Sequence, residues 1–182
     1  MHGDSSGRPW ELSLFPETES GPGALFDITL VPVLKTTSFG HLEYGPEDVI
    51  DFPEGLPGFE QERQFLLIER PEIHPVCLLQ SVSTASLLFL CVPVAVIDPA
   101  YDLKVLPDYY SLLGWEGGRA VPGAVTVLAI LCWPERGPVT ANLLGPLVID
   151  REARRGVQAI RDDARYSATT PVAWRGEAGE AV

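Results

Sequence analysis

VTVLAILCW, residues 125–133, carries apolar residues on both of its alternating sets. Successive side chains of a strand point to opposite faces, so a run that is apolar on both sets belongs to a central strand with both faces covered. The same vocabulary extends outward on either side. From Leu25 onward, short runs rich in Val, Ile, Leu, Phe and Thr are broken every several residues by Gly, Pro or Asp, the punctuation of an all-β domain. The pattern predicts strands at Phe26–Leu34, Ser38–Tyr44, Val49–Phe52, Gln64–Glu69, Val76–Ser81, Leu87–Val92, Val125–Trp133, Pro146–Ile149 and Gln158–Ile160. One short helix fits at Asp108–Leu113, with Asp108 as its N-cap after Pro107 and Gly114 as its stop. A further helical turn is predicted over 150–156, DREARRG, capped by Asp150 and ended by Gly156. So many short strands must close on themselves or stack to hide their edges, which predicts a small barrel or a sandwich.

A chain of 182 residues with 46% hydrophobic composition suffices for one core. Residues 1–24, rich in Gly, Pro, Ser and Glu, are expected to form a flexible extension, 25–174 a single domain, and 175–182 a flexible tail. Trp10, Leu12, Leu14 and Phe15 leave room for a short docking segment that folds on binding. The apolar stretch Ala85–Ile97 is shorter than the roughly 18 residues of a membrane span and contains Pro93, so it reads as buried strand. The start MHGDSSGRPWELSLF lacks the basic start and continuous apolar stretch of a secretory signal, which makes the cytoplasm the expected location.

The net charge of -12 is concentrated. Residues 43–72 hold Glu43, Glu47, Asp48, Asp51, Glu54, Glu60, Glu62, Glu69 and Glu72 against only Arg63 and Arg70. Such a field repels phosphate backbones and forfeits the counterion release that drives nucleic-acid binding, whereas a basic protein partner gains from it. Arg151, Arg154, Arg155, Arg161 and Arg165 are diluted by Glu152, Asp162 and Asp163 and form no nucleic-acid patch.

Chemistry is sparse. There is no phosphate-binding glycine loop, no GxSxG, no HExxH and no CxxC. Cys77, Cys91 and Cys132 sit among apolar neighbours and read as small buried hydrophobes, and His2, His41 and His74 share no ligand spacing with them, so no metal or cofactor is expected. The pairs Glu60/Glu62 and Asp162/Asp163 read as solvated surface. A Cys–His pair drawn from Cys77 or Cys132 with His74 or His41 lacks the electropositive neighbour an activated thiol needs. No catalytic residue is expected.

The most specified segments are FGHLEYGPEDVIDFPEGLPGFEQERQFLLIE (39–69), VCLLQSVSTASLLFLCVP (76–93), PVTANLLGPLVID (138–150) and VQAIRDDARY (157–166). In this order they resemble the bacterial flagellar assembly factor FliW, over about residues 36–172. The match runs through Phe39-Gly40, the Phe52–Phe59 turn ending in Pro57-Gly58-Phe59-Glu60, Leu79-Gln80-Ser81, Thr140-Ala141-Asn142-Leu143 with Pro146, and the Gln158–Tyr166 close. The extension before residue 25 and the Gly-rich 114–123 stretch depart from the family pattern.

The resemblance implies an all-β fold, mainly an antiparallel small β-barrel with one or two short helical turns. It also implies a non-enzymatic regulator that binds flagellin and otherwise binds and antagonises the RNA-binding translational repressor CsrA, beside its RNA site. Candidate partner-binding residues are Phe59, Glu60, Gln80 and Asn142, with the acidic Glu43, Glu47, Asp48 and Glu54. The same residues allow a plainer reading in which Gly55, Pro57, Gly58 and Asn142 serve turns and Phe52 and Phe65 the core. Two other functions remain to be weighed. A barrel with a hollow interior would bind a small molecule, and a hydrolase would bring a nucleophile and base together.

Overall fold

The computed structural model describes residues 33–36, 40–105, 107–115, 124–162 and 164–172. The expected strand at Phe26–Leu34 lies mostly outside these, and the expected extension 1–24 and tail 175–182 lie wholly outside them. In chain order the elements are β1 (Val33–Thr36), β2 (Gly40–Glu43), β3 (Val49–Asp51), β4 (Gln64–Glu69), β5 (Cys77–Ser81), β6 (Leu88–Pro93) and the four-residue helix α1 (Val94–Ile97). There follow α2 (Tyr110–Leu113), β7 (Val125–Cys132), β8 (Thr140–Ala141), β9 (Leu147–Asp150), β10 (Arg155–Gln158) and β11 (Thr170–Pro171).

Seven strands close into a barrel in the order β3, β4, β5, β6, β7, β9, β10 and back to β3. Every neighbouring pair is antiparallel except the closure, where β3 and β10 run parallel and share the single register pair Arg155 with Asp51. The Asp51 N–H donates to the Arg154 carbonyl at 2.9 Å and reinforces that seam.

Alternation along each strand divides its side chains between the barrel axis and the outside. Inward residues fill the axis: Ile50, Phe52, Phe65, Cys77, Leu79, Cys91, Leu128, Leu147 and Ile149 are all buried in one cluster. The outward faces are covered as well. The β1–β2 hairpin, through Leu34, Leu42 and nearby Tyr44, packs on Leu66, Ile68 and Leu78 of β4 and β5. α1, β8 and Tyr166 cover Val92, Ala129 and Leu131. α2 and Trp115 cover Val148 and Val157. β7 thus meets the axis through Leu128 and Ile130 and an outer layer through Ala129 and Leu131, which is why the run at 125–133 is apolar on both sets.

Several expectations are corrected. The strand at 125–133 ends at Cys132, whose side chain is exposed, and Trp133 is 56% exposed beyond it, so Cys132 is not a buried hydrophobe. Residues 150–156 form no helical turn. Asp150 Oδ1 accepts the N–H groups of Glu152 and Ala153 at 3.0 and 2.8 Å, as a cap would. The turn then closes through Arg154 at φ 53° and sends the chain back as β10, antiparallel to β9. The strand after this turn therefore occupies Arg155–Gln158 instead of Gln158–Ile160, and Ile160 is 49% exposed. Pro107–Tyr109 forms a 3-10 turn, so α2 begins later than expected with Tyr109, not Asp108, at its N-cap. Gly114, at φ 77°, stops it as expected. Val94–Ile97, expected as strand, is helical.

Candidate partner-binding surface

The turn between β3 and β4 is built from its glycines and one acid. Gly55, at φ 70°, donates to the Phe52 carbonyl at 2.9 Å, and Phe59 donates to the Leu56 carbonyl at 2.7 Å. A Cβ on Gly55 would stand 2.8 Å from backbone atoms of Phe59 and Glu60, so the chain passes there only without a side chain. The exposed Glu60 accepts the Gly58 N–H at 2.8 Å, and this bond together with its own N–H holds its carboxyl below the usual range.

This geometry places Phe59 at the end of an aromatic ladder that runs outward from the axis. Phe52 meets Phe65 edge-on at 5.2 Å, Phe65 lies 6.2 Å from Phe89, and Phe89 meets Phe59 edge-on at 5.1 Å. Phe59 is 40% exposed: the ladder fixes the ring, and part of it remains available to a partner.

The candidate amides sit differently. Gln80 is 1% exposed, and its Nε2 donates to the carbonyls of Ser81 and Leu87, both at 3.0 Å, and to those of Thr84 and Ala85 at longer range. It holds the β5–β6 loop together. Glu62 grips the same loop, accepting from the hydroxyls of Ser81 and Thr84, so it belongs to the fold and not to the free acidic surface. Asn142 Oδ1 accepts the Gly145 N–H at 2.9 Å, and Gln158 Nε2 donates to the Gly145 carbonyl at 2.9 Å, which fixes the turn before β9.

Of the remaining acids, Glu43, Glu47 and Asp48 come together on the rim of a cleft of about 490 Å³ between β2, the 3-10 turn Pro46–Asp48, β4 and the β9–β10 turn. Its apolar lining comes from Leu42, Ile50, Leu66, Leu67 and Ile68. Glu54 and Glu60 line a second cleft of about 280 Å³ beside Tyr109, Leu112, Val157 and Ile160. The sequence reading missed the cations of the first cleft. Arg151 makes a bidentate pair with Glu69 (Nη1 to Oε2 3.0 Å, Nη2 to Oε1 2.7 Å) and its Nε donates to Thr126 Oγ1 at 2.7 Å, while Arg154 donates to the Pro46 carbonyl at 3.4 Å. These partners are far apart in the chain, so no local pattern reveals them.

Burial, with Glu69 nearby, pushes the Cys77 thiol up to about 11, and burial raises Cys91 further, so both are protonated at neutral pH and are poor nucleophiles. Among the described residues no group of three His, Cys, Asp or Glu is placed to hold a metal, and no helix is long and apolar enough to cross a membrane.

Comparison with known proteins agrees with this architecture. The family described as FliW protein matches residues 33–172. The flagellar assembly factor FliW of Caldanaerobacter subterraneus subsp. tengcongensis is 34% identical over 141 residues, covering 76% of this chain and 91% of that protein. The factor of the same name from Shouchella clausii is 32% identical over 146 residues, covering 80% and 98%. A crystal structure of the flagellar assembly factor FliW superposes with a TM-score of 0.68 at 29% identity, over 76% of this chain and 95% of that one. With the profile spanning the whole closed barrel and the hairpin outside it, the chain belongs to the FliW family.

Proposed function

We propose that this chain is a non-enzymatic cytoplasmic regulator that binds flagellin and, when flagellin is absent, binds and antagonises the RNA-binding repressor CsrA, coupling flagellin translation to export. The observation that carries the reading is a rigid barrel whose acids are displayed outward. Glu43, Glu47, Asp48, Glu54 and Glu60 are all exposed, on two clefts, while the axis is filled by Phe52, Phe65, Leu79, Leu128 and Leu147. A filled axis weighs against a small-molecule chamber. An acidic surface favours a basic protein and disfavours direct contact with nucleic acid. Phe59, half presented beside Glu60, is the aromatic anchor of this surface; Gln80 and Asn142 hold the β5–β6 loop and the turn before β9.

The test is a titration of the repressor into the preformed flagellin complex, followed by calorimetry. Binding linkage is reciprocal, so each partner weakens the other by the same factor, about 5- to 150-fold. A stable ternary complex with both affinities unchanged refutes the switch, and failure of the chain to bind either protein refutes the reading as a whole.

A further inference from the structure

The hydrogen-bonded wall of the barrel is incomplete at one place. β5 accompanies β4 as far as Glu69, whereas β3 accompanies it only from Gln64 to Leu66. The bonds at the start of β4 fix which way its backbone groups point. The Gln64 carbonyl accepts from Val82 on the β5 side, and the Arg63 carbonyl accepts from Phe52 on the β3 side. Backbone groups alternate sides along an antiparallel strand. Glu69 therefore presents its N–H and carbonyl to the β3 side, and there the chain has already turned away through Pro46–Asp48. Among the described residues no strand lies beside Glu69 on that side; the cleft of about 490 Å³ lies there instead.

The cleft has the other attributes of a strand acceptor. Leu42, Ile50 and Ile68 give it an apolar lining. On one wall, Glu43 and Glu47 are exposed and make no ion pair among the described residues. On the other wall Arg151 is already engaged by Glu69 and Thr126. The lining also holds Asp48, Arg70 and Arg154, so its four carboxylates (Glu43, Glu47, Asp48, Glu69) exceed its three guanidiniums (Arg70, Arg151, Arg154) by one, and the charge facing an occupant is negative by that margin.

We propose that an extended segment of the basic repressor enters this cleft as an added strand beside β4, its backbone bonding Glu69 and a Lys or Arg side chain reaching Glu43 and Glu47. This rests on the functional reading above. Main-chain bonds to an open edge supply affinity, and the acidic wall selects a cationic segment.

Two measurements on the full chain with the purified repressor test it. Hydrogen exchange of the Glu69 amide should slow by at least about tenfold in the complex, as expected for a group that gains a ladder bond. The pair Glu43→Lys and Glu47→Lys should weaken binding by about tenfold or more, whereas Asp108→Lys with Glu135→Lys, an equal change of net charge at exposed positions elsewhere, should change it by less than about threefold. Equal losses from both pairs, or unchanged Glu69 exchange in a complex that forms, would overturn the cleft assignment while leaving repressor binding intact. A Glu69 amide already protected in the free chain, and released when residues 1–32 are removed, would assign the cleft to the chain's own N-terminal residues and overturn it as well. If the unaltered chain fails to bind the repressor, the functional reading falls, and this proposal with it.

Discussion

At the scale of single residues, the β3–β4 turn leaves least room for change. Gly55→Ala must accommodate a Cβ 2.8 Å from two backbone positions and adopt φ 70°, so it is expected to cost about 1–3 kcal/mol in chemical denaturation. The Glu69–Arg151 pair is different in kind, since both side chains are about half exposed. The Arg151 guanidinium bonds the Glu69 carboxylate and holds it below its ordinary range. A depressed carboxylate contributes stability that is present above its unfolded pKa, near pH 4, and is lost as pH falls through the lower folded value. Glu69→Gln should therefore cost less than about 1 kcal/mol at pH 7, because solvent screens the pair, and the gap from the unaltered chain should narrow as the pH is taken from 7 to below about 4. Unfolding curves at the two pH values measure this.

At the scale of elements, β7 yields the sharpest contrast with an ordinary half-buried strand. Leu128 is 1% exposed on the axis and Leu131 7% exposed in the outer layer, so Leu128→Ala and Leu131→Ala should each destabilise by about 2–5 kcal/mol. A near-neutral Leu131→Ala, measured by denaturant midpoint, would mean that the outer layer is not packed. Such strands were legible in the sequence because their signal is local: Gln64–Glu69 falls where the alternation puts it, and the doubly apolar run marks the central strand. What local pattern missed was decided by distant partners. Asp150 followed by Arg, Glu and Ala reads as a helix cap, yet Trp115 Nε1 donates to its Oδ2 at 2.8 Å and the chain turns back into β10. β8 and β11 are two residues each and exist by pairing with each other and with β7, which no periodicity of their own announces. The candidate site divides in the same way. Phe59 and the acids are on the surface as composition suggests, whereas Gln80 proved to be a buried loop anchor and the opposing Arg151 became visible only through the fold.

At the scale of the whole molecule, the charge of -12 acts at a distance. Association with a basic partner should slow as salt rises, since screening shortens the reach of the field to about 8 Å near 0.15 M, and stopped-flow rates flat across salt would contradict electrostatic steering. The closure of the barrel also sets the order of events in folding. Most neighbouring strands of the ring are joined by short connections, but Asp51 and Arg155, the one pair that links β3 to β10, are about a hundred residues apart. Forming so large a loop is the costliest step in chain entropy, and it is rewarded by the fewest ladder bonds, so the seam should zip after the β4–β5–β6–β7 meander has assembled. Contacts made after the transition state govern escape from the native state, not arrival. Gly156 lies at this seam, where a Cβ would run into the Phe52 ring. Gly156→Ala, destabilising by about 1–3 kcal/mol through overpacking, should accelerate unfolding by roughly 5- to 150-fold and leave the refolding limb of the chevron nearly in place. A refolding limb lowered by the full amount would instead make the seam part of the nucleus. The barrel's lifetime before it springs open is thus expected to be set by its narrowest join, whatever the strength of its staves.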